Sequence, residues 1–181
     1  EKCKLCELGE GLAIRELEVA AAAYGEPPKK RGLLRKKTKT CAVFGADLFS
    51  LFLAGELARK MYPVTLYCAQ TDEVELLSAC APWLSEASLN AALGDIARAD
   101  IKFEFNADAA ESFAANADRY DIVCAAYAAA EEIYPGLTVD EAVMVCREHR
   151  LVTGKTKGVL DAAFGAKKAA ISVDRMVQNL D

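Results

Sequence analysis

The chain has 181 residues, 53% of them apolar, and a net charge of −5 at neutral pH, with a pI near 5.1 and a mean hydropathy of +0.09. That length suffices for one domain with a sizeable core plus a short appendage. The acidic balance gives no whole-chain case for nucleic acid. No apolar run approaches the roughly 20 residues of a membrane span, so a soluble protein is expected.

Residues 1–24 form a first segment in which Cys3 and Cys6 precede GLAIRELEVAAAAY. Leu12, Leu17, Ala20 and Ala21 fall near one face of a predicted helix there. The chain opens at Glu1 rather than Met, so residues ahead of it could add further groups. Residues 25–39 carry Pro27, Pro28 and seven basic residues from Lys29 to Lys39. This stretch reads as an exposed basic linker, and it lacks the interleaved aromatics of a nucleic-acid arm. The first 39 residues are net basic and the rest net acidic, so the arm could dock on an acidic neighbour or on the body itself.

The main domain is placed at 40–181. TCAVFGADLFSLFLAGELARKMYPVTLYCAQ, from Thr40, is an apolar strand, a turn, an amphipathic helix and a second strand, the first βαβ unit of a doubly wound sheet. TDEVELLSACAPWL predicts a short helix and loop, in which Trp83 is a core or interface anchor. A helix opening at the cap Ser85 follows, then IKFEFN as a half-buried strand. After an Ala-rich stretch, YDIVCAAYA reads as a buried strand, 138–149 as helical, and 159–180 as a long closing helix. The fold class expected is α/β, a Rossmann-like doubly wound parallel sheet in a single domain with an N-terminal helical arm.

The turn after the first strand carries the functional question. In a dinucleotide-binding turn, Gly-x-Gly-x-x-Gly supplies the bend, the close approach to pyrophosphate and the helix–strand packing. Here those positions hold Gly45, Asp47 and Ser50. A helix N-terminus favours an anion, and Asp47 puts a carboxylate where a phosphate would sit, or caps the helix itself. The acidic residue expected about 20 residues onward to bind a ribose hydroxyl is replaced by Cys68.

Four segments in one order resemble the FAD-binding domain of the pyridine nucleotide-disulfide oxidoreductase superfamily, especially its glutamate synthase small subunit-like branch. KKTKTCAVFGADLFSLFLAGELARKMYPVTLYC is similar to a basic linker followed by VAVIGAGPAGLxAAxxLARxGxxVTVFE. LNAALGDIARADIKFEFN, YDIVCAAYA and LVTGKTKGVLDAAFGAKKAAISVDRM resemble the family's later helix and strand, its YDAVxLATGA strand and its closing helix. The resemblance also marks departures. Ala126, Tyr127 and Ala128 stand where the family has Ala-Thr-Gly beside its cofactor. His149 and Arg150 stand where its Gly-Asp pair holds the flavin's ribityl chain, and the Gly-Gly after the second strand is absent. The interval from Ala129 to Leu151 is too short for the family's nicotinamide-binding domain, since one βαβ unit takes about 30 residues.

Related small subunits carry iron–sulfur clusters on an N-terminal cysteine-rich region, so the resemblance makes Cys3 and Cys6 partial ligands of a [4Fe-4S] cluster, or of zinc, completed from elsewhere. A remnant pair of thiols is the plainer reading. The remaining cysteines, Cys41, Cys68, Cys80, Cys124 and Cys146, lie singly in apolar segments and suit buried thiols in the cytoplasm. His149 is the sole histidine, which leaves no histidine pair for catalysis.

The expectation is an accessory or structural subunit of a multi-subunit redox complex, partnered by larger redox-enzyme subunits. It would have no catalytic residues, FAD contacts mostly lost at Gly45, Asp47, Ser50, Cys68, Tyr127 and Arg150, and no cofactor of its own beyond that partial cluster. One alternative is a functional FAD-binding electron-transfer subunit with altered contacts. A second is a regulatory module holding another nucleotide in the same crevice.

Overall fold

Strict alternation of side chains along four short strands divides the core in two. The computed structural model describes residues 35–135, 151–155 and 158–178, the backbone of 144–146 and the isolated positions 20 and 24. Apart from those two positions the expected arm over 1–24, most of the linker over 25–39, and Arg150 lie outside them. Six strands form one sheet: β1 (Cys41–Phe44), β2 (Val64–Tyr67), β3 (Ile101–Glu104), β4 (Ile122–Ala126), β5 (Met144–Cys146) and β6 (Leu151–Gly154). Their order is β3-β2-β1-β4-β6-β5. The first five in that order are all parallel, and β5 pairs antiparallel with β6 at the edge. This is the doubly wound α/β architecture expected of the sequence.

Among the described residues six α-helices accompany the sheet: α1 (Leu48–Arg59), α2 (Glu73–Cys80), α3 (Glu86–Arg98), α4 (Ala109–Asn116), α5 (Tyr127–Ile133) and α6 (Val159–Gln178). Cys41 and Val43 of β1, with Ile122 and Cys124 of β4, face one cluster with Phe49, Leu53 and Leu57 of α1 and the alanines of α6. The alternate residues Ala42, Phe44, Val123 and Ala125 face a second cluster with Ala129 and Ala130 of α5 and Phe113 of α4. Period-two burial on both faces is what a parallel sheet covered by helices requires. In the second cluster the Phe44 ring stacks on Tyr67 at 4.9 Å, and Phe113 meets Phe44 edge-on at 5.4 Å.

Three helices open on side chains that take up free N–H groups, Ser85 among them as expected. Asp72, Ser85 and Asp108 accept from the backbone N–H of Glu75, Ser88 and Glu111, respectively. Two segments depart from the sequence expectation. Met144–Cys146, inside the stretch expected to be helical, is a strand; its apolar triplet is short enough for either state, and pairing along the open edge of β6 decides it. The YDIVCAAYA strand stops at Ala126, and Tyr127 begins α5. Trp83, between α2 and α3, is 59% exposed, so it is no core anchor.

α1 closes through a left-handed residue. The Met61 N–H donates to the Ala58 carbonyl at 2.9 Å and the Tyr62 N–H to the Leu57 carbonyl at 3.1 Å, the paired bonds of a Schellman cap. Met61 has φ 69°, where the resembling pattern LARxGxxV has glycine. A side chain there costs about 1 kcal/mol.

Beyond that cap, the base of the sheet is fastened by one carboxylate. Asp174 of α6 accepts from Lys37 Nζ at 2.6 Å and from the Tyr62 hydroxyl at 2.7 Å, and also from Lys60 Nζ. The Lys37 ammonium lies 3.9 Å from the centre of the Tyr62 ring. Lys36 and Lys39 pair with Asp100 and Asp121, so the last residues of the basic stretch are held on carboxylates of the body. Burial opposes ionisation of Asp174, but the hydrogen bonds from Lys37, Lys60 and Tyr62 prevail and bring its pKa down to about 2.

A carboxylate with a folded pKa below its unfolded value stabilises fully above the unfolded value, near 3.9, and loses that stabilisation as pH falls toward 2. Asp174→Asn is therefore expected to cost about 2 kcal/mol near neutrality, with the gap to wild type narrowing between pH 4 and pH 2. Urea unfolding across that pH range checks it; a gap independent of pH would contradict it.

Candidate functional site

In an open α/β sheet the ligand crevice lies outside the carboxyl ends of the strands, where the strand order switches direction. In this sheet that point is between β1 and β4, which pair in parallel from Cys41↔Ile122 to Phe44↔Ala125. The residues meeting there are Gly45 and Asp47 after β1, Ser50 in the first turn of α1, and Tyr127 after β4. Four of the sequence-predicted positions are therefore brought together. Cys68 follows β2 at the same sheet end, and Arg150, Cys3 and Cys6 lie outside the described residues.

Gly45 makes the bend. Its φ is +77°, a conformation that side chains strain, and its N–H donates to the Tyr67 carbonyl at 3.0 Å. A Cβ added to it would stand 2.9 Å from the Ala129 methyl and 3.2 Å from that of Ala126. The bend itself is thus lined closely by α5 and the end of β4.

Asp47 turns its carboxylate inward. Oδ1 accepts from the Ser50 N–H at 2.7 Å, while the Ser50 hydroxyl accepts from the Asp47 N–H at 2.8 Å and donates to the Asp47 carbonyl at 2.9 Å. This reciprocal capping box gives the fully buried Ser50 a reason to replace the third glycine. Oδ2 accepts from the Tyr127 N–H at 3.3 Å, spanning the switch point. One carboxylate thus takes up N–H groups at the starts of both α1 and α5, the donors an anionic ligand would use. As placed, these residues do not fit a dinucleotide pyrophosphate, which would meet a resident negative charge and occupied donors.

The other positions are equally self-contained. Tyr127 donates from its hydroxyl to Glu131 Oε1, and Lys155 Nζ donates to that hydroxyl at 3.1 Å while lying 4.5 Å from the ring centre. Sequence reasoning missed Glu131 and Lys155; the i,i+4 spacing of Tyr127 and Glu131 becomes a signal only once Tyr127 is known to open a helix. Cys68 is fully buried, and burial, with Cys80 nearby, pushes its thiol up to about 11. A neutral buried thiol is no substitute for a ribose-binding carboxylate.

The other three described thiols follow suit. Burial drives Cys41 up to about 12 and Cys124 well above its ordinary value, and burial followed by the charge of Asp47 lifts Cys80 to about 11. All four are free thiols, protonated at neutral pH and poor nucleophiles. Among the described residues, no group of three or more His, Cys, Asp or Glu side chains is arranged to hold a metal ion, and no helix is long and apolar enough to cross a membrane.

No family model and no curated protein matches this chain.

If Asp47 holds the turn, Asp47→Ala is expected to destabilise the fold by about 1 to 2 kcal/mol and Asp47→Asn, which can still cap, by less. Gly45→Ala, meeting both the positive φ and the Ala129 methyl, should cost about 2 kcal/mol or more. Denaturant midpoints give the ranking; a neutral Asp47→Ala would contradict it.

Proposed function

We propose that the chain is an accessory subunit of a multi-subunit redox complex, with a flavoprotein-like frame whose dinucleotide crevice has been closed by its own residues. The observation that carries this reading is the Asp47 carboxylate engaged by the N–H groups of Ser50 and Tyr127. An FAD-bearing subunit or a nucleotide-sensing module would need that carboxylate displaced and α5 moved off Gly45. The redox setting comes from the resemblance of the four segments to the FAD-binding domains. In that setting Cys3 and Cys6 contribute thiolates to an iron–sulfur cluster completed by another chain, since four are the usual set. Free thiols at Cys41, Cys68, Cys80 and Cys124 favour a reducing compartment such as the cytoplasm.

The test is flavin and iron analysis of the chain isolated with its natural partners. The expected result is recovery in a complex with larger subunits, no stoichiometric flavin absorbance in this chain, and iron that falls when Cys3 and Cys6 are both changed to serine. Stoichiometric FAD in this chain, or its recovery from native cells as a lone protein, would overturn the proposal.

A further inference from the structure

α6 carries its apolar residues the wrong way round for a helix that has only one protein to pack against. Its buried face is built of Ala162, Ala166, Ala169, Ala170 and Val173, all fully buried. Methyl side chains on i,i+4 ridges let α6 lie close on α1 and the sheet. The bulky residues point outward instead: Leu160 is 72% exposed, Phe164 64% and Ile171 47%. At 100° per residue these three fall within about 40° of one another, along one line of the helix.

The charges around that stripe select among occupants. Lys167 borders one side of it and Lys168 and Arg175 the other, and all three are exposed. Of the two carboxylates nearest, Asp174 is already engaged by Lys37, Lys60 and Tyr62, and Asp161 lies in the first turn. A cationic border on a chain of net charge −5 is a local reversal of sign. A second copy fits poorly: a twofold antiparallel pairing that lays Phe164 on the other copy's Ile171 brings Lys167 against its Lys168. An anionic membrane fits poorly too, because an acidic body would be drawn to the same surface and only three bulky side chains would enter it.

We propose that this face of α6 docks an amphipathic helix of a partner protein, one whose Leu, Ile or Phe stripe is bordered by Glu and Asp. Helix-on-helix burial would supply the affinity and the opposed charges the register and choice of partner. The proposal deepens the accessory-subunit reading by giving it a docking face, but stands on α6 alone. Flavin content tests that reading and leaves this one untouched.

The test uses the full chain and two synthetic helical peptides with the same Leu/Ile stripe, one bordered by Glu and the other by Lys. Fluorescence anisotropy is expected to show the Glu peptide binding saturably, and the Lys peptide binding at least about tenfold more weakly. Phe164→Ser and Lys168→Glu should each weaken the Glu peptide by about tenfold or more, with thermal unfolding unchanged because both positions are exposed. Absence of Glu-peptide binding at millimolar concentration, or equal binding of both peptides, would overturn the proposal. So would self-association in sedimentation that Phe164→Ser abolishes, or binding to phosphatidylserine-containing vesicles that the same substitution abolishes.

Discussion

A carboxylate held at the switch point of the sheet ties together the starts of two helices. Asp47 joins the turn after β1 to the start of α5 and at the same time caps α1. Helix N-termini carry unsatisfied donors and partial positive charge, and a fold that points two of them at one crevice must put something anionic or strongly accepting there. In dinucleotide-binding proteins of this architecture the ligand does so. Here a side chain of the chain itself does, and the methyls of Ala126 and Ala129 close around Gly45. Gly45, Asp47 and Tyr127, half-buried, occupy the mouth of the crevice.

Much of the frame could be read from the residues. The apolar strand, capped helix and second strand from Thr40 onward follow from period two switching to period 3.6 at a glycine turn, and Ser85 caps its helix as its position indicates. Asp47 as a cap was legible for the same reason. The bond from Tyr127 to Asp47 was not, because it joins residues 80 positions apart. The Ala-rich stretch around Tyr127 has no clear period, so propensity alone could not show that the strand ends at Ala126. Met144–Cys146 was misread as helix for a related reason: three apolar residues carry no periodicity, and an open sheet edge settles their state. Cys68 occupied the right place in the sequence for a ribose contact, yet its burial removes it from any ligand.

The two ends of the sheet have divided roles. At the carboxyl end, Asp47, Ser50 and Tyr127 bond to one another and the thiols of Cys68 and Cys80 stay neutral. At the other end, Asp174 gathers Lys37, Lys60 and Tyr62, binding the start of the described chain and the end of α1 to α6. That anchorage fixes the closing helix in place with its small residues inward, and leaves Leu160, Phe164 and Ile171 presented to solvent. The longest of the described helices thus keeps three bulky apolar side chains exposed.

The most direct measurement is a crystal structure of the full chain grown in millimolar FAD. The account predicts the Asp47 carboxylate still bonded to the N–H groups of Ser50 and Tyr127, with α5 closed over Gly45 and no pyrophosphate density at the switch point. A structure in which Asp47 has swung away and a phosphate accepts those two N–H groups would contradict it.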